Sequence, residues 1–126
     1  MNNTLPLIKP DAMQKGFKDE IRKDAALTLD KIVKIMNQNP NMVIELGSHT
    51  DCRASKSYNL NLSNKRAISS AKYIKSAISN PLRISGKGYG ESNLINECEC
   101  EGSFKIPCTE DQHQENRRTE FKIIQY

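Results

Sequence analysis

The strongest constraint on this chain is that its apolar residues change period as the sequence advances. Ala25, Leu29, Ile32, Val33 and Met36 recur at the three-to-four spacing of an amphipathic helix, with Asp24 placed to cap its start. Asn37-Gln38-Asn39-Pro40-Asn41 ends that pattern, because proline pushes its predecessor out of the helical region. Met42-Val43-Ile44-Glu45-Leu46-Gly47 then reads as a compact strand, apolar and β-branched. The helical period returns at Ala67, Ala71, Ile74 and Ile78, with Ser63 as the expected N-cap and Asn80-Pro81 as the stop. Arg83-Ile84-Ser85-Gly86-Lys87-Gly88-Tyr89-Gly90 reads as a strand leading into a glycine-rich turn. A long irregular cysteine-containing loop (93–115) follows, and Thr119-Glu120-Phe121-Lys122-Ile123-Ile124 alternates like a half-buried final strand. Units of strand, helix and strand favour right-handed crossovers and helices packed on one sheet. The order therefore predicts an α/β sandwich with a mixed sheet and its helices on one face.

Residues 1–17 carry the least signal. Leu5-Pro6-Leu7-Ile8-Lys9-Pro10 can hold a short strand, which its two prolines restrict to a sheet edge or a loop, and Gly16 marks a turn. No internal repeat and no linker divides the 126 residues, so one domain is expected.

Composition removes several classes of function. Charged residues make up 27% and apolar residues 37%, which suits a soluble domain with a modest core. No stretch approaches the length of apolar sequence that a membrane span requires. The net charge of +4 is spread among acids, not gathered on one face as nucleic-acid binding requires, and Lys72 and Lys75 read as a solvated helix face. The first residues, Met1-Asn2-Asn3-Thr4, lack the basic and apolar regions of a signal peptide and by themselves suggest the cytosol. The four cysteines, at 52, 98, 100 and 108, suggest instead an oxidising compartment or a metal site. Both observations fit a domain belonging to a longer, exported protein.

The candidate chemistry lies between the first long strand and the second helix, in an unusually polar segment from Ser48 to Arg66. Asp51 falls just beyond the strand's C-terminal end, where α/β folds place ligands. Arg66 is expected in the first turn of the second helix, where a cation opposes the helix dipole and needs a partner. Two readings are open on spacing alone. The acid and the guanidinium can hold the ammonium and the carboxylate of a zwitterion, or they can pair with each other.

Four ordered motifs then narrow the choice: His49-Thr50-Asp51; Tyr58-Asn59-x-x-Leu62-Ser63-x-x-Arg66-Ala67; Gly88-Tyr89-Gly90-Glu91-Ser92; and Asn116-Arg117-Arg118-Thr119-Glu120. In order and spacing they resemble the OmpA/MotB C-terminal domain, most clearly over residues 42–126, and Ile21-Arg22-Lys23-Asp24-Ala25-Ala26 is a weaker match to the start of that domain's first helix. The cysteine-loop version looks like the form common in Bacteroidetes. The resemblance implies a β-α-β-α-β-β fold and a periplasmic, non-enzymatic module without a cofactor. Its partner would be peptidoglycan, bound through the diaminopimelate residue of the stem peptide. Such a module would anchor the outer membrane, or an envelope complex, to the wall, within a protein membrane-associated through a region outside these residues. Carried over by position, Asp51 receives an ammonium and Arg66 the matching carboxylate. Thr50, Asn59 and Leu62 line the pocket, and Arg117 closes or braces it. The alternative is a protein–protein interaction module of an envelope complex that does not bind the wall.

Two departures from the family pattern stand out. Ala54 occupies a position usually held by glycine, and Lys15-Gly16-Phe17-Lys18-Asp19-Glu20 does not look like the usual first strand. That strand is expected nearer residues 4–9, or is missing from the chain.

Cys98, Cys100, Cys108 and His113 match a zinc set in residue type, but their spacing departs from the usual two-to-four residue first gap. The resemblance implies disulfides instead. The expected pairs are Cys98–Cys108 within the loop and Cys52–Cys100 from the loop to the binding turn, one of three possible pairings. His49, His113 and Cys52 match no catalytic signature, so no enzyme is expected.

Overall fold

The computed structural model describes residues 4–8, 23–100 and 107–126. The elements run β1 (Thr4–Ile8), α1 (Lys23–Gln38), β2 (Val43–His49), α2 (Lys56–Lys75), β3 (Ile84–Gly90), α3 (Glu110–Asn116) and β4 (Thr119–Gln125), with a 3-10 turn at Pro81–Arg83 before β3. The strands form one sheet in the order β1-β4-β2-β3. β2 and β3 are parallel and joined through α2, whereas β4 runs antiparallel to both β1 and β2. This is the mixed α/β sheet that the alternating periods predict. β1 lies at the sheet edge, where Pro6 has no central ladder to interrupt. Gly16 and the Lys15–Arg22 stretch fall outside the described residues.

Alternation along the strands builds the core. Ile44 and Leu46 of β2, Ile84 of β3, and Phe121 and Ile123 of β4 point to one side of the sheet. They meet Leu29, Ile32 and Met36 of α1 and Ala67, Ala71 and Ile74 of α2 in a single cluster. Burial of these side chains is the main driving force for the fold, at about 1.5–3 kcal/mol for each large one. Arg83 locks α1 to the sheet: its buried guanidinium donates to the carbonyls of Met36 (2.6 Å), Asn39 (2.7 Å) and Met42 (3.0 Å), where α1 ends.

Two boundaries differ from the sequence reading. α2 begins at Lys56, capped by Ser55, whose hydroxyl accepts from the Tyr58 amide at 3.1 Å. Its first turns are polar and present Asn59 inward, so the apolar period that reveals a helix starts only later. Ser63 is therefore not a cap; it is fully buried inside the helix. Arg66 sits in the third turn, away from the unfavourable end of the helix dipole. α3 occupies part of what reads as irregular loop, and its start is marked by a capping box between Thr109 and Gln112.

The glycines of β3 form strand, not turn. α2 lies so close that a Cβ on Gly88 would stand 2.2 Å from the Asn64 amide nitrogen, and one on Gly86 would stand 2.4 Å from the Ala67 carbonyl oxygen. The helix repays this closeness with hydrogen bonds: Asn64 Oδ1 accepts from the Gly88 amide (2.8 Å) and Ser63 Oγ from the Gly90 amide (2.9 Å). Gly90 ends the strand at φ +56°, a left-handed conformation that favours glycine. Gly88→Ala is expected to destabilise the domain by about 3 kcal/mol, because backbone and not a flexible side chain must yield. Urea denaturation measures this, and a loss below about 1 kcal/mol would mean that α2 shifts freely.

The opposite face of the sheet is polar. Buried His49 stacks on Tyr89 with ring centroids 5.1 Å apart, and its Nε2 lies 3.5 Å from Glu120. Tyr89 donates its hydroxyl to Glu45. Burial, joined by the Arg118 charge and opposed by Glu120, lowers the His49 pKa to about 4. An unfolded histidine takes up a proton near pH 6.5, whereas the folded one resists until about pH 4. Stability is therefore expected to fall as pH drops from 6.5 to 4, by up to about 3 kcal/mol. The slope should flatten in His49→Gln; an unchanged slope would assign it to other groups.

Candidate functional site

β2 ends at His49, and the chain turns into α2 through Thr50–Ser55. The turn is fixed from several sides. The Thr50 amide donates to the Gly90 carbonyl (2.8 Å) and its hydroxyl to the Asp51 carbonyl (2.8 Å). Asn59, buried in the first turn of α2, donates its side-chain amide to the carbonyls of Asp51 (3.1 Å) and Ala54 (3.2 Å) and to Glu91 (3.1 Å). Ala54 thus occupies the usual glycine position with its carbonyl held in place.

Beside this turn lies an open cleft of about 450 Å³. Thr50, Asp51, Asn59, Leu62, Arg66 and Arg117 all line it, so the structure brings together the six residues expected to form the pocket. Asn59, Leu62 and Arg66 come from one stripe of α2, at spacings of three and four residues. Arg117 arrives from the C-terminal end of α3, just before β4. A larger groove of about 930 Å³, bordered by Tyr89 and the residues that follow β3, contains none of the six.

The carboxylate at the centre of the cleft is strongly held. Asp51 Oδ1 accepts from the Arg53 amide (2.9 Å), and Oδ2 accepts from Arg53 NH2 (2.8 Å), Arg53 Nε (3.3 Å) and Arg117 NH1 (2.8 Å). Glu110 completes a ring of alternating charge, at 2.6 Å from Arg53 and 2.7 Å from Arg117. Burial alone would raise the Asp51 pKa; the bonds from the Arg53 side chain, the Arg53 amide and Arg117 outweigh it and bring the value to about 2. Asp51 is therefore ionised at neutral pH. Its hydrogen bonds go to Arg53 and Arg117.

Sequence reasoning missed Arg53, Glu110 and Tyr58, which also line the cleft. For Arg53 the signal is an aspartate two residues earlier, the spacing at which a carboxylate accepts from the backbone to form a local turn. For Glu110 it is the capping box, which places Glu110 in the first turn of a helix.

The expected disulfides are both present: Cys52–Cys100 (Cα–Cα 5.4 Å) and Cys98–Cys108 (Cα–Cα 6.0 Å). The three thiols that a zinc site would need are used in these bonds. Cys52 directly follows Asp51, so the first disulfide ties the turn after β2 to the segment preceding α3.

A mixed sheet with β2 and β3 joined through α2, and a charged cleft at the end of β2, define an OmpA-like domain. Residues 17–105 match the OmpA family, and the chain belongs to it. Solved structures agree in fold. A putative MotB-like protein from Desulfovibrio vulgaris superposes with a TM-score of 0.74 at 19% identity, covering 95% of this chain and 71% of that one. The peptidoglycan-associated lipoprotein from Burkholderia pseudomallei gives 0.71 at 16% identity, over 97% and 90%. The cell wall anchor of the T6SS from Pseudomonas aeruginosa gives 0.69 at 18%, over 93% and 78%. No curated protein matches the chain in sequence.

Proposed function

We propose that this domain binds peptidoglycan non-covalently, through the diaminopimelate residue of the stem peptide, and performs no chemical turnover. One observation carries the reading: a single cleft holds an ionised acid, Asp51, and a guanidinium, Arg66, projected from a strand end and a helix face. An ammonium and a carboxylate on one carbon are complementary to that pair, the guanidinium offering a bidentate fork. Thr50 and Asn59 supply polar walls and Leu62 an apolar one. Two structural relatives, a peptidoglycan-associated lipoprotein and a cell wall anchor, support a role at the wall. Two disulfides suit the periplasm, where thiols are oxidised. The whole protein, on this reading, is associated with the outer membrane or an envelope complex and uses the domain as its wall anchor.

The test is co-sedimentation of the disulfide-bonded domain with purified diaminopimelate-type sacculi, with free diaminopimelate as competitor. Retention that the competitor reverses is expected. A domain left in the supernatant would remove wall binding and turn attention to a protein partner for the same cleft. Single-site affinity should be modest, roughly micromolar to millimolar, with retention strengthened by repeated sites along the polymer.

A further inference from the structure

Arg53 already occupies the carboxylate that the proposed ligand needs. Two of its side-chain nitrogens reach Asp51 Oδ2, at 2.8 and 3.3 Å, while NH1 is held by Glu110 at 2.6 Å. The second arginine on Asp51, Arg117, is 9% exposed, whereas the Arg53 side chain is 45% exposed. An incoming ammonium can therefore displace Arg53 far more readily than Arg117. We propose that Arg53 is the specificity-determining residue of the cleft, an internal stand-in for an ammonium whose displacement is compensated only by a ligand carrying a carboxylate beside its own ammonium.

The inference rests on the wall-binding reading and deepens it. Three arginines and two carboxylates line the cleft, leaving one positive charge in excess. A plain primary amine adds a further positive charge and strips Arg53 of one partner. An α-amino acid end adds none, and its carboxylate, received by Arg66, also offsets the charge of the guanidinium edge just released. Glu110 keeps Arg53 at the mouth during the exchange, so the edge stays where the carboxylate arrives. The arrangement thus discriminates by charge pattern and not by size. A stem peptide with diaminopimelate at its third position satisfies it; the same peptide with lysine there, ending in a bare ammonium, does not.

Calorimetric titration of these two peptides into the wild type, Arg53→Ala and Asp51→Ala tests the assignment. Arg53→Ala keeps the backbone amide that bonds Asp51 Oδ1, so the turn survives the change. The wild type is expected to prefer the diaminopimelate peptide, and Arg53→Ala to narrow that preference by roughly three- to tenfold, chiefly by binding the lysine peptide more tightly. An unchanged preference in Arg53→Ala, with Asp51→Ala still abolishing binding, would overturn the role of Arg53 and leave the wall-binding site standing. If the wild type binds neither peptide, or Asp51→Ala binds as well as the wild type, the site reading itself fails. Circular dichroism and thiol titration on each variant establish that fold and disulfides are intact.

Discussion

Serine at both Cys52 and Cys100 is expected to lower the domain's stability by about 4 kcal/mol, the chain-entropy value for a loop of this length. The bond joins residues 48 apart in sequence, whereas Cys98–Cys108 closes only 10 and should contribute about 3 kcal/mol. Urea denaturation of the two double-serine variants measures both. A core of this size leaves a net stability of only about 5–15 kcal/mol, so the first variant loses a large fraction of it. It should also bind the wall more weakly than the second, because Cys52 is the residue after Asp51 and its bond holds the binding turn. Equal affinities in the two variants would show that the turn keeps its shape without the bond.

The second large effect concerns Asp51 itself. Asp51→Asn preserves size and most of the turn but removes the charge that faces the ligand's ammonium. Wall affinity is expected to fall by about a hundredfold, or roughly 3 kcal/mol, the scale seen when one partner of a desolvated charge pair is removed. Stability should fall much less. Arg117, although nearly buried, retains Glu110 as a partner, and Arg53 is half exposed and can turn to water. The two readouts separate a binding role from a structural one. An Asp51→Asn variant that unfolds more easily but binds normally would make the carboxylate a brace for Arg53 and Arg117 and nothing more. Acid gives an independent check: with its pKa brought to about 2, Asp51 stays charged well below neutrality, so its contribution persists at pH 4 and is lost only as pH falls towards 2.

Where side chains face the core, the sequence announces the structure. Leu29, Ile32 and Met36 on α1 and Phe121 and Ile123 on β4 repeat at the period of their element because one side of each is buried. Legibility ends where burial is polar. The first turns of α2 turn Asn59 inward to satisfy the carbonyls of the binding turn, so no apolar stripe betrays them. Gly86 and Gly88 look like turn residues because composition cannot distinguish a bend from a helix lying against the strand. α3 is short and buries chiefly Asn116, leaving its capping box as its only local mark. The candidate site was legible as residues, through four spaced motifs. Its electrostatics were not, because Glu110 enters the ring around Asp51 from an element that the apolar pattern does not reveal.

The closeness of α2 to β3 has a consequence beyond packing. β3 forms one margin of the sheet, and an outermost strand ordinarily offers a row of amides on which a foreign chain can build. Here Asn64 and Ser63 already take the amides of Gly88 and Gly90, and at the far margin β1 carries Pro6, which has no amide hydrogen to offer. On the proposed wall-binding function, many copies crowded along the polymer would meet one another constantly. At these positions a neighbouring copy finds no amide to pair with, which removes part of each margin from strand-to-strand association.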